Sequence, residues 1–276
     1  MATLLYFSLK RKPNREVALL RDSSSTAGTR VYGTVMKHAT QAYVLVALLA
    51  MIGACQASPV RDLQHDLGID DSSWKVAKET DTEIRWITAS QEAVVLTKHP
   101  GASEIVDPNN QKALQDAFRD EATHSKGGLV EVKTFTSEGV ACVLVTMKFR
   151  VSDFNPKADG FAYQMNAIIP TTTGDYVLQV AAAETGTTGV REATVTVIDM
   201  EQRKISDLKE ESAHFRRDPY DANYDAVALY AISDDEKWDK SFPNHPLTRV
   251  RQVMDSIIKS WKISEQIKSE TLFKAR

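Results

Sequence analysis

Pairs of alternating apolar and polar stretches, joined by short turns, restrict the fold of this 276-residue chain more than any other feature. Residues 128–135 and 140–149 are strand-like, and Ser137-Glu138-Gly139 between them is typical of a hairpin turn. Residues 161–169 and 175–183 form a second such pair, joined by a five-residue segment. Parallel strands need a crossover of about a dozen residues or more, so these short connections predict antiparallel pairing.

Other segments have the spacing of further strands and of helices. Three shorter strands are predicted, over residues 83–88, 93–97 and 193–198. Apolar residues at three- and four-residue spacing predict two helices, over residues 110–124 and 246–261, and a weaker one over 205–215. Asn109 or Asn110 suits the N-cap of the first helix, and Pro246 suits the first turn of the last one.

This order of elements predicts an α+β protein in which helices pack on an antiparallel sheet, as an α/β sandwich. The composition is that of a globular protein, with 42% hydrophobic and 26% charged residues. We expect a single domain over residues 74–262, which is long enough to bury about 70% of its unfolded surface. Residues 55–73 are interpreted as a polar tether and residues 263–276 as a charged tail.

The order and lengths of these elements resemble the PsbP-like fold of the photosystem II extrinsic subunit and of small bacterial lipoproteins of the DcrB type. The resemblance covers residues 74–261. It rests on a first helix at 113–118, Gly127-Gly128 opening the central sheet, a hairpin crossing at 171–176 and a final helix ending at 257–261. It implies an accessory or binding role, because that fold has no strict catalytic motif.

The N-terminal region contains an apolar run over residues 42–54, behind Lys37. Thirteen residues are few for a membrane span, which needs about 20. They match the apolar region of a secretory signal behind its positive start, so residues 36–54 are predicted to be a signal peptide. Residues 1–35 do not fit such a signal, and we expect them to be disordered and outside the fold. Translation from Met36 is one explanation, and an organelle transit peptide rich in Arg and Ser is another.

The run ends in Ile52-Gly53-Ala54-Cys55, which resembles the lipobox of bacterial lipoproteins. That resemblance implies cleavage before Cys55 and a lipid such as palmitate on its thiol. Gln56 in the following position implies an outer-membrane lipoprotein of the cell envelope, facing the periplasm. A plain signal peptide cut near Ala57 and an uncleaved short anchor remain open.

Charge and cysteine content support this division of the chain. Residues 1–54 carry seven basic and two acidic residues, a net charge of +5, whereas residues 55–276 carry 27 basic and 35 acidic residues, a net charge of −8. The acidic part is expected to repel phosphate backbones, which argues against nucleic-acid binding. If Cys55 is lipidated, Cys142 lies alone in an apolar strand as a buried, unreactive thiol. A Cys55–Cys142 disulfide is the alternative.

Two polar segments are candidates for a ligand or partner contact. In residues 233–251 the candidate side chains are Asp234, Asp235, Asp239, His245 and Arg249. The acids are potential oxygen ligands of a cation such as Ca²⁺, but the spacing and missing glycine do not match an EF-hand. A capping box between Ser233 and Glu236 is favoured instead.

The second candidate segment covers residues 184–192, with Glu184 and Arg191. We expect a turning loop in which Arg191 pairs with Glu184 or Glu192, rather than an anion site. His245 is interpreted as a local helix cap or a packed histidine, and Arg249 and Arg251 are expected to pair with acidic residues. No metal ligand set and no cofactor are predicted.

Common catalytic motifs for dinucleotides, phosphate loops, hydrolase elbows and zinc proteases are absent from the sequence. We therefore expect a lipid-anchored envelope protein that binds another envelope protein or a small ligand without catalysis. One alternative is an exported hydrolase using Asp234, Asp235, Asp239 and His245, which requires these side chains to converge in one pocket. Another is an organelle membrane-assembly factor imported by residues 1–54.

Overall fold

The computed structural model describes residues 61–101, 103–105, 107–204, 218–221, 224 and 229–273. The predicted N-terminal extension, signal peptide and lipidated Cys55 lie outside these residues, and so does the predicted helix over 205–215. Cys142, at the other end of the alternative disulfide, is a free and buried thiol.

Seven strands form one antiparallel sheet in the order β2-β3-β4-β8-β7-β6-β5. Their bounds are Lys75–Thr80 (β2), Glu83–Ile87 (β3), Ala93–Pro100 (β4), Gly127–Ser137 (β5), Val140–Arg150 (β6), Phe161–Pro170 (β7) and Gly174–Ala183 (β8). A separate pair consists of β1 (Leu67–Gly68) and β9 (Lys262–Ile263). Helices pack against the large sheet, so the predicted α+β class is confirmed.

The hairpin between β5 and β6 shows why the short turns were informative. Its loop has two residues, Glu138 with a φ of 49° and Gly139 with a φ of 81°. Positive φ at both loop positions is the backbone of the turn that suits the right-handed twist of paired strands. Glycine reaches this conformation without a steric penalty. The two-residue loop sets the register of the hairpin, in which Ser137 lies opposite Val140.

The five helices among the described residues are Arg61–Asp66 (α1), Gln111–His124 (α2), Val190–Arg203 (α3), Pro246–Ser260 (α4) and Glu265–Glu270 (α5), with short 3₁₀ turns at Val151–Asp153, Ile232–Asp234 and Glu236–Trp238. Asn110 caps α2 as predicted, because its side chain accepts a hydrogen bond from the Ala113 amide at 3.1 Å. None of these helices is both long and apolar enough to cross a bilayer.

The sheet is covered by a helix on each face. On one face α4 lies across β7 and β8 and buries Val250, Met254 and Ile257. On the other face α2 lies along β5 and buries Leu114 and Phe118. The alternating side chains of the central strands therefore fill two cores, one under each helix.

The folded region extends further at both ends than the predicted limits of 74 and 262. Leu63 and Leu67, within the predicted tether, are buried in the core under α4. Ile267, within the predicted tail, is buried in the same core. Pairing of β1 with β9 joins these two distant segments, and neither contains enough local pattern to signal it.

The predicted strand over residues 193–198 is wrong, because these residues lie in α3. Gly189, with a φ of 71°, stands at the helix N-cap, and Lys204 ends the helix in a left-handed conformation. Val195 is fully buried whereas Val197 is 55% exposed. Arg191 lies one turn before Val195 on the same buried face of the helix. These two side chains attach the helix to the domain, and the alternating valines do not form the face of a strand.

Candidate functional site

The two polar segments meet in a buried ionic network between the sheet, α3 and the start of α4. At its centre Lys148 of β6 has its Nζ atom 3.1 Å from both carboxylate oxygens of Asp234 and 3.2 Å from Oε1 of Glu192. The side chains of Lys148 and Asp234 are 1% and 0% exposed. The hydroxyl of Tyr163 donates to Glu192 Oε1 at 2.9 Å.

Arg191 extends this network towards α4. Its Nη1 atom donates to Asp239 at 2.9 Å and to the Thr248 hydroxyl at 3.0 Å, and its other nitrogens donate to the carbonyls of Ser233 and Asp235. Arg251 contacts the same Asp239 carboxylate at 3.1 Å. The predicted pairing of Arg191 with Glu184 or Glu192 is therefore wrong, because the folded chain brings the more distant Asp239 against its guanidinium.

The predicted capping box between Ser233 and Glu236 does not form. Instead the Asp234 carboxylate accepts a hydrogen bond from the Ala231 amide at 2.9 Å and caps the 3₁₀ turn that begins there. The Ser233 hydroxyl has no hydrogen-bond partner. Asp234 thus satisfies a backbone amide and neutralises Lys148 with the same carboxylate.

His245 caps α4 as predicted, since its Nδ1 atom accepts a hydrogen bond from the Leu247 amide at 3.3 Å. Its ring meets Tyr163 edge to face, with the ring centroids 5.2 Å apart. The other ring nitrogen, Nε2, lies 3.7 Å from Oε1 of Glu184. Glu184 itself accepts backbone hydrogen bonds from Gly189 and Phe161, both at 2.9 Å, and so ties the loop before α3 to β7.

The remaining two candidates lie beside the network. Arg249 forms an ion pair with Glu92 at 3.2 Å, and the Glu92 side chain is fully buried. Asp235 accepts a hydrogen bond from the Tyr230 hydroxyl and lies 3.4 Å from Lys237. The expectation that Arg249 and Arg251 pair with acidic residues is confirmed.

The ionisation of this network follows from its charges. Burial alone would raise the pKa of Glu192, but the neighbouring Lys148 and the Tyr163 hydrogen bond outweigh it and lower that pKa below its usual value. Burial and the nearby Asp234 and Glu192 carboxylates raise the pKa of Tyr163 well above 10. Glu192 is therefore an anion at neutral pH, and Tyr163 remains a protonated donor.

Two adjoining cavities open beside the network, and both are lined by Ala183, Thr185 and Arg249. The first, which we call the alanine cavity, has a volume of about 330 Å³. Alanines at positions 93, 162, 181 and 183 and the side chain of Gln164 line it from one face of the sheet. The residues that line this cavity are mostly apolar. Oε1 of Gln164 is buried without a hydrogen-bond partner, so one acceptor of the lining is unused.

The second cavity, which we call the polar cavity, has a volume of about 350 Å³. It lies between the loop before α3 and the turn before α4, and its walls include Glu184 and His245. None of the three aspartates predicted as hydrolase residues lines either cavity. Of that predicted set only His245 lines either of these two cavities, so their geometry does not favour the hydrolase hypothesis.

Sequence reasoning missed Lys148 and Glu92. A signal for Lys148 was present, because strand alternation places it on the same face of β6 as Cys142 and Leu144, where a charge needs a buried partner. Glu92 stands in a short connection before β4, and nothing local indicates that it is buried. Five of the seven candidate residues do meet in or against the network, namely Glu184, Arg191, Asp234, Asp239 and His245.

Comparison of the sequence with models of known protein families and with characterised proteins gave no match. The resemblance to the PsbP-like fold and to bacterial lipoproteins therefore remains a prediction. What the domain does is inferred from its own residues.

Proposed function

We propose that this chain is a lipid-anchored accessory protein of the cell envelope, whose domain binds a small, mostly apolar ligand without catalysing a reaction. The observation that carries the binding role is the alanine cavity. Its volume of about 330 Å³ lies within the range of small-molecule sites, which are mostly apolar with a few polar groups.

The register of the sheet explains why this space exists. Ala93 lies opposite Ala181, and Ala181 lies opposite Gln164, so the three side chains share one face of adjacent strands. Ala162 and Ala183 form the next cross-strand pair on that face. A row of methyl groups leaves room where larger side chains would fill the core, and Gln164 offers one amide for orienting a ligand.

The ionic network supports a binding role over a catalytic one. The carboxylates of Asp234 and Asp239 are held by Lys148, Arg191 and Arg251. A catalytic acid or base must reach the substrate proton that it transfers. Side chains committed to buried ion pairs are instead suited to fixing α3 and α4 against the sheet.

The anchor is supported by the sequence alone. The apolar run ending at Cys55 has the length and the small residues of a lipoprotein signal. A lipid would hold the acidic domain, with its net charge of −8 over residues 55–276, at a surface that its charge does not favour. Labelling with radioactive palmitate tests this part. We expect label on the wild type and none on Cys55→Ala, and equal label on both would contradict the anchor.

Binding of the fluorescent probe anilinonaphthalene sulfonate tests the cavity. We expect saturable binding at one site in the wild type and loss of that site in Ala181→Leu, because leucine fills the alanine cavity. Ala193→Leu is the matched control, since Ala193 is exposed on α3 and lines neither cavity.

Cooperative urea unfolding of both variants must first show that they are folded. Equal probe binding by Ala181→Leu and Ala193→Leu would mean that the alanine cavity is not the binding site. A wild type that binds another envelope protein in place of the probe would favour the partner-binding form of the hypothesis.

A further inference from the structure

Three side chains from separate elements converge beside the polar cavity, namely Glu184 after β8, Glu192 in the first turn of α3 and His245 before α4. One oxygen of each carboxylate and one imidazole nitrogen all lie within 4.8 Å of one another. We propose that these residues bind a divalent transition-metal ion of the Zn²⁺ class, a site beyond the ligand-binding function proposed above. The sequence predicts no metal site, because the three residues have no motif spacing.

The three donor atoms lie close enough for rotation of their side chains to bring them around such an ion. Zn²⁺ binds imidazole nitrogen and carboxylate oxygen at about 2.0–2.2 Å, which places neighbouring donors of a tetrahedral site about 3.3 Å apart. His245 Nε2 and Glu184 Oε1 are 3.7 Å apart. The other two donor pairs lie within 4.8 Å, so side-chain movements of up to about 1.5 Å would bring all three donors to tetrahedral spacing.

Two polar atoms of these side chains make no hydrogen bond. Nε2 of His245 and Oε2 of Glu192 are both buried without a hydrogen-bond partner. The His245 side chain is only 8% exposed, and its Nε2 atom points towards Glu184. Buried polar atoms in folded proteins nearly always have a partner, so this pair of atoms indicates a missing ligand.

The charge of the surroundings also favours a cation. Within the described residues the network and Glu184 together hold three basic side chains and four carboxylates, which are Lys148, Arg191, Arg251, Glu184, Glu192, Asp234 and Asp239. The carboxylates of this set therefore outnumber its lysine and arginine side chains by one. This surplus of carboxylate charge attracts a cation to the space beside Glu184 and Glu192.

The donor set indicates which class of ion fits. One imidazole and two carboxylates suit Zn²⁺ and its first-row neighbours, whereas Ca²⁺ takes six to eight oxygen ligands and Mg²⁺ rarely uses imidazole. Glu184 and His245 line the polar cavity, so water can complete the coordination from that side.

Metal binding at His245 is expected to break one hydrogen bond of the folded chain, and this change can be measured. Nδ1 of His245 accepts the Leu247 amide, so the ring proton of the metal-free histidine lies on Nε2. A metal at Nε2 displaces that proton, and a neutral ring then carries its proton on Nδ1. Metal binding must therefore switch the tautomer and release the Leu247 amide.

The test uses the full chain without a histidine tag, purified in mild detergent and treated with a chelator. Isothermal titration with ZnCl₂ is expected to show one ion per chain, and CaCl₂ and MgCl₂ are expected to bind at least about tenfold more weakly. His245→Asn removes the imidazole but keeps a side chain that caps helices well, so the variant is expected to fold. Its affinity for Zn²⁺ is expected to fall at least about tenfold.

His124→Asn is the matched control, because His124 is exposed in the last turn of α2, away from the site, and its affinity is expected to equal that of the wild type. Nitrogen-15 spectra of the imidazole rings provide the second measurement. With Zn²⁺ the His245 proton is expected to move from Nε2 to Nδ1, and the Leu247 amide resonance is expected to shift. Wild-type affinity in His245→Asn, no Zn²⁺ binding, or an unchanged tautomer at saturating Zn²⁺ would each overturn the proposal.

Discussion

Replacing Lys148 by methionine tests whether the buried ionic network holds α3 and the 3₁₀ turn at 232–234 against the sheet. Methionine has a similar length and shape, so the substitution removes the charge while keeping most of the packing. It leaves Asp234, which is 0% exposed, without its cation. Glu192 loses the same partner, and its Oε2 atom already has no hydrogen bond.

The magnitude follows from the distances. At 3.1 Å and an effective dielectric constant of about 20, the attraction between Lys148 and Asp234 is ~5 kcal/mol before the cost of desolvation. Removing one partner of a buried pair typically lowers the free energy of unfolding by about 3–5 kcal/mol, because the other charge stays buried. We expect Lys148→Met to fall in that range, which is a large part of the ~5–15 kcal/mol stability of a typical domain.

Urea unfolding followed by tryptophan fluorescence measures this loss, since Trp86 and Trp261 are buried in the core. Lys133→Met is the control. Lys133 lies on the adjacent strand β5, its side chain is 45% exposed, and its pairs with Glu131 and Glu236 are near the surface. We expect a cost of less than about 1 kcal/mol for that variant.

The double variant Lys148→Met with Asp234→Asn separates charge from packing. Asparagine is uncharged but can still accept the Ala231 amide, so we expect the double variant to be more stable than Lys148→Met alone. A loss of less than 1 kcal/mol in Lys148→Met, or no recovery in the double variant, would refute the view that an uncompensated Asp234 charge causes the destabilisation.

Three further predictions concern other parts of the fold. Burial raises the pKa of the Cys142 thiol to about 12, so the reactive thiolate is scarce at about pH 8. We expect iodoacetamide at this pH to modify Cys142 only as fast as the protein unfolds. Rapid modification of the native protein would contradict this. Gly174 has a φ of +150°, and in Gly174→Ala the new Cβ atom would lie 2.0 Å from the His99 carbonyl oxygen. Urea unfolding should therefore show that the free energy of unfolding falls by at least about 2 kcal/mol. An unchanged free energy of unfolding would disprove the close approach. Burial opposes ionisation of Glu83, but hydrogen bonds from Arg85 and Lys78 outweigh it and lower the pKa of Glu83 in the folded state. Its ion pairs therefore stabilise the fold above about pH 4.5, and this stabilisation is lost as the pH falls through the lowered pKa. In urea unfolding, Glu83→Gln should be less stable than the wild type at neutral pH but equally stable in acid. A stability difference that does not depend on pH would exclude this linkage.

The large antiparallel sheet was predictable because its strands carry their own signals. Alternation in β5 to β8 and two-residue or short loops such as Glu138-Gly139 give each hairpin its register without help from the rest of the chain. The Asn110 cap and the apolar spacing of α4 are equally local. Local signals of this kind are reliable where the hydrophobic period and the turn chemistry agree.

The errors occurred where distant contacts decide the structure. Val195 and Val197 have a strand-like pattern, but Arg191 is satisfied by Asp239, 48 residues further along the chain, only if this segment is a helix. The pairing of β1 with β9 joins residues that are almost 200 positions apart. No pattern within either segment contains that information, since tertiary contacts override local propensity.

The sequence by itself determined the antiparallel α+β architecture, the positions of α2 and α4, and most of the polar residues that meet beside α3. Only the tertiary structure decided which charges pair, that Lys148 lies at the centre of them, and that Glu184, Glu192 and His245 face one another. The physical reason is that hydrophobic periodicity and turn geometry act over a few residues, whereas a buried charge takes whichever partner the packed helices bring within about 3 Å of it.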